Sequence, residues 1–143
     1  MLISTILHEK GGDIISVTAT TSIEDVTKVL KERRIGAVLV LEDDGTIDGV
    51  LSERDIVRGL ASNGTSVLKL EAKTLMTHDV ITCTSAQDLR GAMKIMTKNR
   101  IRHLPIVDDG KLIGLISIGD LVKYRIAEAE QEAEALRGYI ATG

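Results

Sequence analysis

The chain has 143 residues, a formal net charge of -3, 43% apolar and 27% charged residues, the balance of a folded protein rather than a disordered one. With two Tyr, no Phe and no Trp, the core falls to Val, Ile, Leu, Met and Ala, and the aromatic platforms that stack single-stranded nucleic acid are missing. The slight acidity gives nucleic-acid phosphates no basic footprint, so no nucleic-acid role is expected.

Along the chain, the opening MLISTILHEKGGD carries an acid and only a short apolar run. It does not read as a targeting segment. Ser22 then precedes Ile23, Val26, Val29 and Leu30, an apolar stripe at helical spacing with Asp25 three residues after the cap. Ala37 to Leu41 and Ile47 to Leu51 are branched runs joined through Asp43-Asp44-Gly45. That is hairpin chemistry, because Gly supplies the positive φ a tight turn needs. A helix begins near Glu53, and residues 61–73, with Asn63-Gly64 marking a turn, read as a linker. Cys83 belongs to no Cys/His ligand cluster and has no partner for an internal disulfide. It reads as a small apolar strand residue and points to a reducing compartment.

Ser85 with Leu89, Ala92, Met93 and Met96 repeats the capped helix, Asp88 standing where Asp25 stood. Leu104 to Val107 and Leu112 to Ile116 repeat the hairpin across Asp108-Asp109-Gly110, and a further helix starts near Ile118. From Lys123 to Ile140 one long helix is predicted, with Glu128, Glu130, Glu132 and Glu134 wet. Ala129, Ala133, Leu136 and Ile140 form a narrow stripe on the other side, suited to a partner subunit or to the helix's own domain. No segment approaches the ~18 unbroken apolar residues of a membrane span, so no membrane role is expected and the cytoplasm is the expected location.

The two halves superpose on themselves. A shift of 66 residues matches Ile15 with Ile81, Thr18 with Thr84, Arg34 with Arg100 and Ile35 with Ile101. After Leu41 the shift becomes 65, as though Glu42 were inserted, and Gly49, Ser52, Asp55 and Val57 meet Gly114, Ser117, Asp120 and Val122. A duplicated unit of about 60 residues follows, dividing the chain into 1–65, 66–127 and a helical tail 128–143.

Helix, hairpin and helix, with Gly-apolar-apolar-Ser-x-x-Asp closing each hairpin, resembles the CBS domain, named for cystathionine β-synthase. The resemblance runs from about Ile14 to Leu60 and from Val80 to Ile126. Its most typical strings are Ile35-Gly36-Ala37, Gly49-Val50-Leu51-Ser52-Glu53-Arg54-Asp55, Leu75-Met76-Thr77 and Ile101-Arg102-His103-Leu104-Pro105-Ile106-Val107. It is most similar to short stand-alone bacterial proteins made of one CBS pair. The resemblance implies an α/β (α+β) fold: two tandem repeats packed as a pseudo-twofold pair, each a small sheet with helices on one face, plus the long C-terminal helix. It also implies clefts between the repeats for adenosine-containing ligands (AMP, ADP, ATP, S-adenosylmethionine or NAD(H)), a homodimer, and a role in signal transduction or energy sensing.

In that frame Ser52 and Asp55, with Ser117 and Asp120, are the expected ribose-binding residues. A carboxylate one helical turn beyond a strand-end serine can accept hydrogen bonds from a vicinal diol, and charge-assisted bonds are the stronger class. The same Ser-x-x-Asp is also a helix N-cap with an acid in the first turn, and the two roles can coexist. The motifs at Ser22 and Ser85 are read as caps only. Arg54, Arg102 and His103 are the candidates for phosphate. Ile14, Ile15, Gly36, Ala37, Gly49, Val80, Ile81 and Gly114 are those for the adenine pocket, the glycines admitting the ligand where bulk would block it. Gly36-Ala37 stands where the second half has Arg102-His103, so the clefts are expected to be unequal. Asp55 would share phosphate contacts with Arg102 and His103, while Asp120 opens beside Gly36 and Ala37.

No Ser/His/Asp set, metal-spaced His/Cys cluster or P-loop is present, and His8 and His78 read as surface residues. The expected protein is therefore not an enzyme and carries no metal. It is a regulatory module that binds an adenine nucleotide, changes shape and acts on a regulated partner. The alternative is a ligand-free interaction module.

Overall fold

Capped apolar stripes become helices and branched runs become hairpins in both halves, and the computed structural model describes them over residues 1–11 and 13–142. In chain order the elements are α1 (Ile3–Lys10), β1 (Ser16–Val17), α2 (Ile23–Arg33), β2 (Ala37–Leu41), β3 (Ile47–Ser52), α3 (Glu53–Asn63), a 3-10 helix (Gly64–Lys69), α4 (Ala72–Leu75), α5 (Leu89–Asn99), β4 (His103–Asp108), β5 (Lys111–Ser117) and α6 (Ile118–Thr142). They fall into two units. One is built on Asp13–Ile81, with residues Gly110–Leu112 grouped to it; the other is built on α1, Thr82–Asp109 and the chain from Ile113 onward.

In the first-repeat unit β1 lies parallel to β2, and β2 antiparallel to β3, in the order β1-β2-β3. Ser22 caps α2 by accepting from Asp25 N–H at 3.1 Å. The core gathers Ile23, Val26, Leu30, Val38, Val40, Leu51, Ile56, Val67, Ala72 and Met76. The stretch 61–73 links the repeats as expected, but it is folded: it completes α3, forms the 3-10 helix, begins α4, and contributes the fully buried Val67 and Ala72. The Asn-Gly turn signal was genuine, but Val67 and Leu68 after it make the segment a lid over the core rather than a solvated tether.

The second-repeat unit has the β4-β5 hairpin, and Cys83 forms a parallel bridge to Ile106 where β1 lies in the first repeat. Burial, then the neighbouring Asp108 carboxylate, push the Cys83 thiol up, against the reactive thiolate form. The helix α5 packs on α6 and β4, with Leu89, Ala92 and Met96 buried.

Three expectations change here. Ser85 does not cap α5. Asp88 does, accepting from Gly91 N–H at 2.8 Å, as the 66-residue shift from Ser22 requires. Ser85 instead donates both its N–H and its hydroxyl to the carboxylate of Asp108. The N-terminal segment, given to the first repeat by sequence, forms α1 and groups with the second. The tail is not a separate piece, since α6 runs unbroken from the end of β5.

The hairpins differ by the predicted insertion. Asp109 and Gly110 alone join β4 to β5, with φ of 50° and 77°, the two positive angles of a type I′ turn. Between β2 and β3 the loop is longer and the pairing register shifts at Val40/Leu41.

Candidate functional site

Each hairpin ends where its last strand turns into a helix, and there the Ser-x-x-Asp side chains close on themselves. In the first repeat Asp55 Oδ2 accepts from Ser52 N–H at 2.9 Å and Ser52 Oγ at 3.0 Å, while Ser52 Oγ accepts from Asp55 N–H at 3.3 Å. This is a reciprocal capping box for α3. In the second, Asp120 Oδ2 accepts from Ser117 N–H at 3.0 Å and Ser117 Oγ accepts from Asp120 N–H at 3.1 Å. The capping role is therefore real in both. Among the described residues, neither carboxylate's Oδ1 receives a hydrogen bond, so each half-buried Asp keeps one acceptor oxygen for a hydroxyl.

The surrounding strands bring other candidates to the same corner. Ala37 lies opposite Ser52 across β2 and β3, and Gly36 C=O accepts from Glu53 N–H at 2.9 Å. The counterpart bond runs from Ile118 N–H to Arg102 C=O at 2.8 Å. Arg102 is thus the structural equivalent of Gly36, as the shift in the repeat predicts. Ile15 C=O reaches Leu39 N–H at 3.4 Å. Ile14, Val80 and Ile81 are half-buried chain outside the strands and helices, Arg54 and Arg102 are exposed, and His103 is half-buried at the start of β4.

Gly49 and Gly114 have a different reason from the one expected. A Cβ on Gly49 would lie 2.7 Å from Met76 Sδ and 2.8 Å from Thr77 O; on Gly114 it would lie 2.5 Å from Leu7 Cδ2. The close approach each glycine permits is to the protein's own chain, so neither is explained by a ligand.

Sequence reasoning missed Lys10. Its Nζ donates to Asp120 Oδ2 at 2.6 Å and to Leu115 C=O at 2.8 Å. Burial alone would raise the Asp120 carboxyl, but the Lys10 hydrogen bond and charge and the Ser117 N–H outweigh it and hold the group below its ordinary value. The readable signal was the Ile3, Ile6, Leu7, Lys10 spacing of an amphipathic turn.

The model of the CBS domain matches residues 7–62 and again 72–127. The chain belongs to the CBS-domain family. A CBS-domain protein of Arabidopsis thaliana, CBSX3, mitochondrial, is 32% identical over 99% of this chain and 72% of its own length. The crystal structure of ATU1752 from Agrobacterium tumefaciens, a CBS-domain-containing protein, is 37% identical over 87% of this CBS pair and 99% of that chain, with a TM-score of 0.85. The CBS-domain protein PAE2072 of Pyrobaculum aerophilum, solved in complex with AMP, is 26% identical, covers 84% of this chain and 89% of its own, and has a TM-score of 0.73. Among the described residues of the CBS pair, no three His, Cys, Asp or Glu side chains are grouped to hold a metal ion, and no helix is long and apolar enough to cross a membrane.

Proposed function

We propose that this CBS pair is a regulatory module for an adenosine-containing nucleotide, with Asp55 and Asp120 accepting the ribose hydroxyls beside Ser52 and Ser117. The observation that carries the reading is the pair of strand-end carboxylates, each anchored through Oδ2 with Oδ1 left as an acceptor, in a family that includes a protein solved with AMP. AMP, ADP, ATP, NAD(H) and S-adenosylmethionine share the adenosine these residues would hold. Arg54, Arg102 and His103 are proposed for the phosphates, and Ile14, Ile15, Gly36, Ala37, Val80 and Ile81 for the base. The ligand shifts the population of conformers by its differential affinity for them, and the output is a surface offered to a regulated protein in the cytoplasm. The module itself performs no catalysis. Homodimerisation is proposed through the far end of α6, where Leu136, Tyr139 and Ile140 are 60%, 74% and 69% exposed.

Calorimetry with AMP, ATP, NADH and S-adenosylmethionine tests the reading. Saturable binding is expected, weakened about tenfold to a hundredfold at the affected repeat by Asp55→Asn or Asp120→Asn, since a charge-assisted hydrogen bond contributes ~1.5–3 kcal/mol. Absence of binding by all four ligands would leave a ligand-free interaction module, and turnover of any of them would make the protein an enzyme.

A further inference from the structure

The N-terminal helix α1 is the structural counterpart of α4, although it stands at the other end of the sequence. Three backbone hydrogen bonds show this. Around α4, Leu70 C=O accepts from Ile23 N–H, Ala72 N–H donates to Thr21 C=O, and Lys73 N–H donates to Ala19 C=O, at 2.9, 2.7 and 3.0 Å. Around α1, Met1 C=O accepts from Leu89 N–H, Ile3 N–H donates to Gln87 C=O, and Ser4 N–H donates to Ser85 C=O, at 2.9, 2.9 and 3.0 Å. Residue for residue, the two segments dock on equivalent places of the two repeats.

They part company one turn later. After α4 the backbone straightens at Met76, and Thr77 pairs with Val50 on the edge of β3, through bonds of 2.9 and 3.0 Å. The helix α1 instead continues to Lys10 before ending at Gly11. Among the described residues, no backbone hydrogen bond matches at Leu115 the pair that Val50, its counterpart, makes with Thr77. The Leu115 carbonyl is taken by Lys10 Nζ at 2.8 Å, and the same ammonium sits 2.6 Å from Asp120 Oδ2. Near the helix's other end, the N-terminal ammonium meets Glu128 at 3.1 Å. The helix α1 is therefore tied to α6 at both ends. Asp55 has no such companion; among the described residues it makes no ion pair.

We infer that Lys10 neutralises the second repeat's carboxylate at Oδ2 as an internal stand-in for ligand, so that nucleotide binds first at Asp55 and more weakly at Asp120, whose Oδ1 stays open but whose charge the ammonium already holds. This rests on the ribose-binding role proposed for the two aspartates. The pair is partly exposed, with side chains 36% and 26% accessible, so the lock is of modest strength and reversible rather than a permanent closure. Nucleotide at Asp120 competes with the ammonium for the carboxylate's charge, a competition that Asp55 does not impose.

The test uses the full chain carrying Asp55→Asn, so that binding at the first repeat is weakened and the second dominates, and titrates adenosine and ATP separately by calorimetry. Lys10→Met should raise the affinity for adenosine about fivefold, and Lys10→Arg, which keeps the charge, should leave it near the starting value. Unchanged adenosine affinity in Lys10→Met would overturn the lock and leave the nucleotide reading standing. Weaker ATP binding with adenosine unmoved would make Lys10 a phosphate ligand instead, which also overturns it. Binding by wild type but by no Asp55→Asn form would mean that the second repeat is silent even when unlocked. No binding by any form, wild type included, would remove the lock and the nucleotide reading together.

Discussion

The two repeats share a hairpin, a helix start and a Ser-x-x-Asp, yet they complete themselves with different pieces of chain. The first uses the segment that follows it, the 3-10 helix and α4, and pairs Thr77 with Val50. The second uses α1, which precedes both repeats in the sequence, and fills the equivalent position with a lysine side chain. Duplication thus reproduces what lies inside the repeat. What caps each repeat is supplied from outside it, so the aspartates can be equivalent in sequence and unequal in charge environment.

The largest expected effect breaks the comparison at α1. Ile6 is fully buried in the second-repeat unit, and Ile6→Ala should cost about 3 kcal/mol, the cavity and transfer loss of a buried aliphatic side chain. Hydrogen exchange should show the loss in α5 and α6 before α2 and α3; equal loss everywhere would contradict the division into two units. Next in size are the strand glycines. Gly49→Ala presses on the Thr77 backbone carbonyl as well as on Met76, whereas Gly114→Ala meets only the end of the flexible Leu7 side chain. Urea midpoints should place the first at about 2 kcal/mol of destabilisation and the second at about 1 kcal/mol or less, and a reversed order would refute the close approach described for Gly49.

The helix caps give a finer contrast. The hydrogen bonds that Asp88 accepts, from Gly91 N–H first and the Gln87 side chain next, hold its carboxyl below the ordinary value. A depressed carboxyl contributes stability that is complete above the unfolded value, near 4, and is lost as pH falls through the lower folded value. Ser22 does not titrate. Gly91 N–H should therefore lose protection in acid while Asp25 N–H keeps it, readable by amide exchange across that range, and the difference should vanish in Asp88→Ser.

The smallest effect is shared by both repeats. Arg34 and Arg100 end α2 and α5 with φ of 55° and 54°, a left-handed conformation glycine adopts without Cβ strain. Arg34→Gly and Arg100→Gly should each stabilise by about 0.5 kcal/mol, a rise of a degree or two in Tm; destabilisation would mean these side chains do work at the surface that the backbone does not reveal.

Much of this was legible from residues alone. The repeat register located Glu42 as an insertion, and the longer first hairpin bears it out. The branched runs and Asp-Asp-Gly turns gave both hairpins, and the Ser-x-x-Asp motifs gave the strand-to-helix corners, because turn, cap and alternation are local properties. The same register places the α5 cap at Asp88, the counterpart of Ser22, and not at Ser85, whose Ser-x-x-Asp spacing has the same local form. That the connecting segment 61–73 also covers the core was not legible, because an Asn-Gly turn looks the same in bare chain and in a lid.

The sequence by itself determined the duplicated unit, the family and the pairs Ser52–Asp55 and Ser117–Asp120. Only the tertiary structure decided that Met76 and Thr77 lie over Gly49, that Leu7 lies over Gly114, and that Lys10 stands at Asp120. Those contacts join residues 27 to 110 positions apart, and no local pattern encodes such a separation. It is fixed when a helix with one buried face docks wherever its apolar residues fit, carrying along whatever its next turn holds.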